Sequence, residues 1–394
     1  MATHAHDVVI VGGGNGGIAA AAQLRRKGAS DVALVDPALM HVYKPLQNYV
    51  GTGLAAPSTL TKPQADVMPD GVTWYRSAAR RIDGGTRRIE LADGTELRAA
   101  DLVIACGAVT DWDAIPGAAA ALDSGHACTT FERDRLEDTW DWIRSVTSGR
   151  AVFTLHEQPA SGRETALKPL FLACDHWRRR GVLKDIDVRL LHDGDALHPV
   201  AEIDAEIHRH LEAYGIELTL GARVDGIDGG TVTVDVQGRR EEVETDLLHL
   251  LPPYKAPDLI PASGLDGPGT GGFAAVDPLT LRHPDHPRVW CIGDAADIGD
   301  ARTGGALRHQ VQTVVANIAH RRAGRPLTHY DGYTVAPITT SRRSLSFGEY
   351  DSRTHEVRRT TGILDNIRSR PWWYALDRYV LPRIYWHGIL KGRV

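Results

Sequence analysis

The sequence predicts an α/β protein of two Rossmann-like three-layer domains, the second inserted in the first, followed by a C-terminal region. Three observations carry this prediction. Residues 7–36 read as strand, glycine-rich turn, helix and strand. A second run of alternating strands and helices fills the middle of the chain, from about residue 130 to 220. A short apolar strand ending in Gly293-Asp294 then returns the chain to its first domain, about 280 residues after the first glycine. At 394 residues the chain is also too long for one ordinary core.

In order, residues 7–11 (DVVIV) form a buried strand, Gly12 to Gly17 a turn, IAAAAQLRRKG a helix, and 31–36 (DVALVD) a second strand. Short strands are expected at 72–76, 88–91 and 97–100, around an Asp93-Gly94 turn, and a separate apolar strand at 101–107 (DLVIACG). The middle segment reads as strand 151–155, helix 166–180, strand 187–192, helix 200–214 and strand 216–220, then a β-rich stretch from 223 to 251. Residues 288–293 are a strand and 304–321 a helix. These elements divide as 1–110 with 250–330 for the first domain, 111–249 for the second, and 331–394 for the C-terminal region.

Composition narrows the function. Hydrophobic residues make up 42% and charged residues 24%, as in a soluble globular protein. A net charge of −5 supplies no field for nucleic acid. No run of 18 apolar residues suggests a membrane span. Met1 to His6 lacks a signal pattern, so the expectation is a cytoplasmic protein, with contact to the inner face of the membrane left open. Cys106, Cys128, Cys174 and Cys291 form no CxxC pair, and His208 and His210 are two apart, so no metal site is expected.

Gly12, Gly14 and Gly17 fit G-x-G-x-x-G, with Asn15 inside it. The first glycine permits the tight turn, the second the approach of a pyrophosphate, the third close packing of helix on strand. The helix N-terminus offers free N–H groups and the positive end of its dipole to the phosphates. Asp36, 19 residues after Gly17, is placed to accept from a ribose hydroxyl.

The order of elements is the plan of the pyridine-nucleotide-disulfide reductase superfamily. RVWCIGD at 288–294 resembles its late FAD motif, in which the aspartate after the glycine, here Asp294 after Gly293, binds the ribityl chain. LVIACG at 102–107, ending in Cys106-Gly107, resembles its intermediate motif. The cofactor expected is therefore FAD. After AVFTL at 151–155 no second glycine motif follows, so no normal nicotinamide site is expected.

Several further segments resemble the sulfide:quinone oxidoreductase family. His41-Val42-Tyr43-Lys44-Pro45 is similar to its H-x-Y-x-P segment near the flavin, and Leu248-His249-Leu250-Leu251-Pro252-Pro253 to its LH-x-x-PP segment. Tyr330-Asp331-Gly332-Tyr333-Thr334 matches its YDGYT element, and Tyr385-Trp386 through Leu390-Lys391-Gly392 its C-terminal stretch. That family oxidises sulfide through two cysteines beside the flavin. The resemblance puts the first at Ser161-Gly162-Arg163 and the second at Val335-Ala336-Pro337, so both are lost. Neither serine nor alanine can form a disulfide or persulfide. Arg302 stands where the family has a lysine, keeping charge but not geometry.

The resemblance implies cofactor contacts from Lys44, Pro45 and Arg302, with Lys44 and Arg302 as cations near the flavin. His41, Tyr43 and Glu164 join them as polar residues on the substrate side. Cys128 is the best single-thiol candidate, although a small buried thiol is its blander reading. Glu164 could act as a base, against a solvated loop carboxylate as the ordinary reading. His198 reads as a satisfied structural histidine. The C-terminal aromatics and arginines suit a membrane interface, or packing on the core or a second subunit to form a homodimer. The relatives continue with another hydrophobic segment past the Val394 position, which weakens the membrane expectation. Three functions follow. The favoured one is an FAD-dependent oxidoreductase that passes electrons from a small molecule to quinone or O2. The alternatives are a sulfide or thiol oxidoreductase using Cys128 or direct attack on the flavin, and a redox-silent FAD-binding partner protein.

Overall fold

The larger sheet of the computed structural model, which describes residues 3–157, 163–359 and 365–394, has seven strands. Val72–Tyr75, Val32–Val35, Thr3–Val11 and Glu96–Ile104 run parallel in that order. Val289–Cys291 lies parallel on residues 102–104 of the last of them. Arg88–Leu91 and Ala79–Asp83 continue the sheet antiparallel beside residues 96–98.

Glu96–Ile104 is one nine-residue strand where the sequence suggested two. The polar Asp101 looked like a break, yet it is fully buried in the strand. Its carboxylate accepts from Arg321 Nε and Nη2 at 3.0 and 2.8 Å and from Arg322 Nε at 2.9 Å. A buried carboxylate persists when its lone pairs are taken by charged donors. These bonds pin the end of the long helix Gly304–Arg322 to the sheet.

The second sheet is entirely parallel, in the order Glu217–Thr219, Ile186–His192, Gly149–Leu155, Leu247–His249. Helices Leu167–Arg180 and Ala201–Tyr214 make its crossovers. A three-stranded antiparallel sheet, Ala222–Asp228, Thr231–Val236 and Arg239–Glu244, precedes its last strand. Val109–Thr110 pairs with Tyr254–Lys255 where the chain leaves the larger sheet and comes back. In open sheets of this kind ligands sit at the carboxyl ends of the strands, where strand order reverses. In the larger sheet that point lies at Val11-Gly12 and Ile104-Ala105-Cys106.

The hairpin Tyr333–Ser341 with Ser344–Asp351 packs on helices Leu167–Arg180 and Gly304–Arg322. A tail of short helices follows, Pro371–Ala375, a π-helical turn Leu376–Val380, and Leu381–His387. Its end, Ile389–Lys391, lies on the first helix, Asn15–Arg26, with Gly392 flush against the backbone of Ala22. Among the described residues no helix is long and apolar enough to cross a membrane.

Candidate active site

The glycine loop is built by backbone contact. Gly12 has φ +109°, and a Cβ there would lie 2.4 Å from the Ala105 carbonyl oxygen. A Cβ on Gly17 would lie 1.8 Å from the Gly12 carbonyl oxygen. Gly14 differs, since a Cβ there would meet nothing within 4 Å and the residue is exposed. The helix Asn15–Arg26 has no acidic residue in its first turn. Asn15 Oδ1 is buried without a hydrogen-bond partner. Asp36 holds this turn, accepting from the Gly13 N–H and, at 2.7 Å, from the Ala38 N–H. Open space over Gly14, free helix N–H groups and an orphaned amide oxygen together fit a dinucleotide pyrophosphate.

Exposure sorts the remaining cofactor candidates, because a residue sealed within the protein alone cannot be part of a ligand's wall. Lys44 and Pro45 are exposed, and Cys106, Gly107 and Asp294 are partly exposed, around the same strand ends. Gly293, at φ +69°, is buried, and its N–H donates to Gln310 Oε1 at 2.8 Å. Arg302 is only 4% exposed. It donates from Nε to the Ala296 carbonyl at 3.1 Å, sits 3.5 Å from Asp297, and lies 3.8 Å over the Phe273 ring. The expectation of Arg302 as an open cation at the flavin is therefore corrected. Its guanidinium holds the turn after Gly293-Asp294.

The H-x-Y-x-P segment and the C-terminal stretch, far apart in sequence, meet in space. His41 Nδ1 donates to the Gly13 carbonyl at 3.1 Å, which leaves Nε2 to accept from the Tyr385 hydroxyl at 2.5 Å. Burial lowers the pKa of this imidazole and favours its neutral form. The Tyr43 and Tyr385 rings are 4.4 Å apart, and Lys62 lies 4.7 Å over Trp386. The tail thus braces the back of the glycine loop. The LH-x-x-PP histidine joins from the other domain. His249, pushed down to about 3 by burial, accepts from the Thr130 N–H at 3.2 Å. Thr130 donates to Asn48 Oδ1 at 2.7 Å, and Asn48 Nδ2 donates to the Thr165 carbonyl at 3.1 Å.

At the expected position of the second redox cysteine, Ala336 is fully buried in an apolar cluster with Ile338, Tyr350 and Leu167. Ser161 and Gly162, at the first position, lie outside the described residues. All four cysteines are free. Cys128 is buried beside the strand Leu247–His249, and burial pushes its thiol up to about 12. Burial likewise pushes up Cys106, to about 12, as well as Cys174 and Cys291. Since the thiolate is the reactive form, none of the four has the setting of a nucleophile.

Glu164 departs from its ordinary reading as a solvated loop carboxylate. It is 4% exposed, with Oε1 3.6 Å from His198 Nε2. His198 Nδ1 accepts from the Val200 N–H at 3.0 Å, and its ring meets Tyr350 edge-on at 4.9 Å.

A buried network in the same region had no counterpart in the sequence reading. Lys168 Nζ donates to Asp377 Oδ2 at 3.1 Å, and the Tyr49 hydroxyl donates to the same oxygen at 2.6 Å. Thr339 Oγ1 is 2.8 Å from that hydroxyl. The network ties four segments together: residues 47–50, the start of helix Leu167–Arg180, the hairpin, and the π-helical turn. The signal available in the sequence was a lysine in the first turn of a helix, where the dipole disfavours a cation.

The cleft at the strand ends and the turns around it define an FAD-dependent oxidoreductase with two dinucleotide-type domains. Residues 6–152 match the family model for pyridine nucleotide-disulphide oxidoreductases. The chain is 30% identical to the mitochondrial sulfide:quinone oxidoreductase of Dictyostelium discoideum, across 98% of this chain and 86% of that protein. The solved sulfide:quinone oxidoreductase of Aquifex aeolicus has the same fold, with a TM-score of 0.82 at 15% identity over 99% of this chain and 92% of that one. A chain in the mitochondrial ATP synthase structure of Tetrahymena thermophila also shares it, with a TM-score of 0.82 at 18% identity over 99% and 97%. This chain belongs to the sulfide:quinone oxidoreductase family, and its cofactor is FAD.

Proposed function

We propose that this protein oxidises a small molecule directly at FAD, without a cysteine relay, and passes the electrons to a quinone, with O2 as the alternative acceptor. The observation that carries the reading is the packed Ala336 at the relay position, within a chain that keeps the cofactor scaffold. Bound FAD supplies a two-electron acceptor. Gly12, Gly14, Asn15 and Gly17 hold its pyrophosphate, Asp36 a ribose, and Asp294 the ribityl chain. Lys44 contributes an exposed cation at the cleft, which favours negative charge developing there. Glu164 is as buried as Arg302 and stands behind the cleft wall, with Oε1 3.6 Å from His198 Nε2.

Quinone delivery gives a reason for the apolar side chains that stay exposed. Leu39, Met40, Trp372, Tyr379 and Val380 lie on the tail or on the hairpin against which it packs. In this reading they rest on the inner face of a bilayer, from which quinone is drawn, with the rest of the protein in the cytoplasm.

The test is anaerobic mixing of the flavoprotein with sulfide, small thiols and NADH in turn, followed by a short-chain quinone. At least one donor should bleach the flavin and quinone should restore its colour, with rates unchanged in Cys128→Ser. Bleaching by sulfide that disappears in Cys128→Ser would overturn the cysteine-free route. Failure of every donor would favour a redox-silent FAD-binding partner.

A further inference from the structure

We propose that Tyr385 is a positioning residue for FAD. Through His41 it fixes the peptide between Gly13 and Gly14, so that the Gly14 N–H is presented to the pyrophosphate and the cofactor is retained. The inference rests on the reading above that Gly12, Gly14, Asn15 and Gly17 hold that pyrophosphate.

The peptide is gripped at its carbonyl. The Gly13 oxygen accepts from His41 Nδ1 at 3.1 Å and from Gln64 Nε2 at 2.8 Å. The N–H of the same residue donates to Asp36. A trans peptide is planar, and its C=O and N–H point in opposite directions. A carbonyl directed at His41 and Gln64 therefore turns the Gly14 N–H away from both. Gly14 is exposed, and a Cβ there would meet nothing within 4 Å, so this donor is left for a ligand in the cleft. Gly13 has no such room, since a Cβ on it would run into the Gln64 amide.

The Tyr385 hydroxyl decides which imidazole nitrogen carries the proton. His41 Nδ1 lies beside two acceptors, the Gly13 carbonyl and Gln64 Oε1 at 3.2 Å, so it is the donor. Nε2 then accepts from the hydroxyl at 2.5 Å. Burial favours the neutral imidazole, which has a single proton to place. Without the hydroxyl that proton is free to move to Nε2, and the Nδ1 lone pair then faces the Gly13 oxygen and repels it. Ring packing alone does not call for the hydroxyl. The Tyr385 ring lies 4.4 Å from Tyr43 and 5.0 Å from Trp386, contacts that a phenylalanine would keep.

The tail is anchored firmly enough to hold this bond in place. Tyr385 is 4% exposed and Leu390 is fully buried. Lys391 Nζ donates to the Asp66 carbonyl at 3.3 Å, on the short helix Gln64–Val67 that supplies the other donor to Gly13. Gln23 Nε2, on the helix that follows Gly14, donates to the Val394 main-chain oxygen at 3.3 Å. Residues 385–394 thus hold from behind the pieces that shape the pyrophosphate loop.

The experiment follows FAD release from the purified flavoprotein by the rise in flavin fluorescence on dilution, with denaturant unfolding at saturating FAD as the control for each variant. Tyr385→Phe should release FAD about tenfold faster, the worth of about one hydrogen bond. His41→Asn keeps an amide donor for the Gly13 carbonyl that does not depend on the hydroxyl. Adding Tyr385→Phe to His41→Asn should therefore change release by less than about twofold. Equal acceleration in both backgrounds, or none in Tyr385→Phe alone, overturns the positioning role. Nitrogen NMR of the wild-type holoprotein with isotopically labelled histidine reads the tautomer whether or not the variants fold. His41 should be neutral with its proton on Nδ1, and a proton on Nε2 overturns the relay. Gly14→Ala separates the two readings. Faster release in Gly14→Ala with none in Tyr385→Phe leaves the pyrophosphate on the loop and removes Tyr385 from its positioning. No acceleration in either removes the pyrophosphate from the loop as well.

Discussion

The cofactor cleft and the relay region lie at the ends of neighbouring sheets, but they are constructed differently. The cleft is made of backbone, with glycines at Gly12 and Gly17 and an open wall at Gly14, Lys44 and Gly107. The relay region is made of side chains, with Ala336 sealed in apolar packing and Lys168, Asp377 and Tyr49 locked together. Where a glycine is pressed against backbone, as at Gly12 and Gly17, no other residue fits. A side-chain site can be rebuilt by substitution, and here Ala336 lies in apolar packing near one buried ion pair.

The largest effect should come from breaking the backbone site. Gly17→Ala sets a methyl into the Gly12 carbonyl, a clash that no rotamer relieves. Purified protein should be colourless or insoluble, with a loss above about 3 kcal/mol. Gly14→Ala adds its methyl to open space at φ −74°. It should stay folded, within about 1 kcal/mol of the wild type, and be weakened only in flavin retention. The ratio of flavin to protein absorbance reads both variants. Equal flavin loss in the two would break the distinction between packing glycines and the approach glycine.

The next effect tests the ion pair. Lys168→Met leaves the Asp377 carboxylate buried without its cation, which costs about 3–5 kcal/mol. Lys168→Met combined with Asp377→Leu removes both charges and should recover most of that loss, because apolar replacements of a buried pair are often neutral. Denaturant unfolding of the single and double variants measures the coupling. A double variant no more stable than Lys168→Met would show that the pair contributes more than mutual neutralisation.

The same contrast explains what could be read in advance. Gly12, Gly17, Asp36 and Gly293-Asp294 were legible because turn geometry and phosphate approach restrict residue type locally. His41 and Tyr385 were legible only as separate family-like segments. Their shared hydrogen bond depends on how the tail folds back. Glu164 read as an exposed loop residue because nothing near it in sequence shows that His198, itself packed edge-on against Tyr350, lies beside it. Arg302 carried the expected charge in the expected turn. Its direction was set by Phe273 and Asp297, which lie outside that motif.

A third prediction uses acid to loosen the tail. Glu206 accepts from Arg209 at 2.6 and 2.9 Å, from the Ser369 N–H at 2.8 Å, and pairs with His210 at 3.2 Å. Burial raises its pKa, but these partners outweigh burial and hold it at about 2. A depressed carboxylate stabilises the fold fully above its unfolded pKa of about 4.3, and the contribution fades as pH falls through about 2. It is worth about 2 kcal/mol. Glu206→Gln should therefore lower stability at neutral pH and flatten the decline between pH 5 and 2, as followed by unfolding at a series of pH values. An unchanged acid profile would show that the tail is held without this carboxylate.

The smallest expected effect bears most directly on the chemistry. Cys128 is the thiol best placed by sequence to substitute for the lost pair. In the fold its backbone N–H donates to the Leu248 carbonyl at 2.8 Å, and its thiol is buried and protonated at neutral pH. Iodoacetamide should leave it unmodified in the folded protein, since alkylation needs the thiolate and access to it. Cys128→Ser exchanges sulfur for a hydroxyl in the core and should cost about 1 kcal/mol or less if that hydroxyl finds a partner. Turnover with the true donor should change less than about twofold. Rapid alkylation at neutral pH would mean that the segment opens in solution. The segment of Cys128 would then be a closed state of a thiol site, and its contrast with the glycine loop would be one of dynamics rather than of construction.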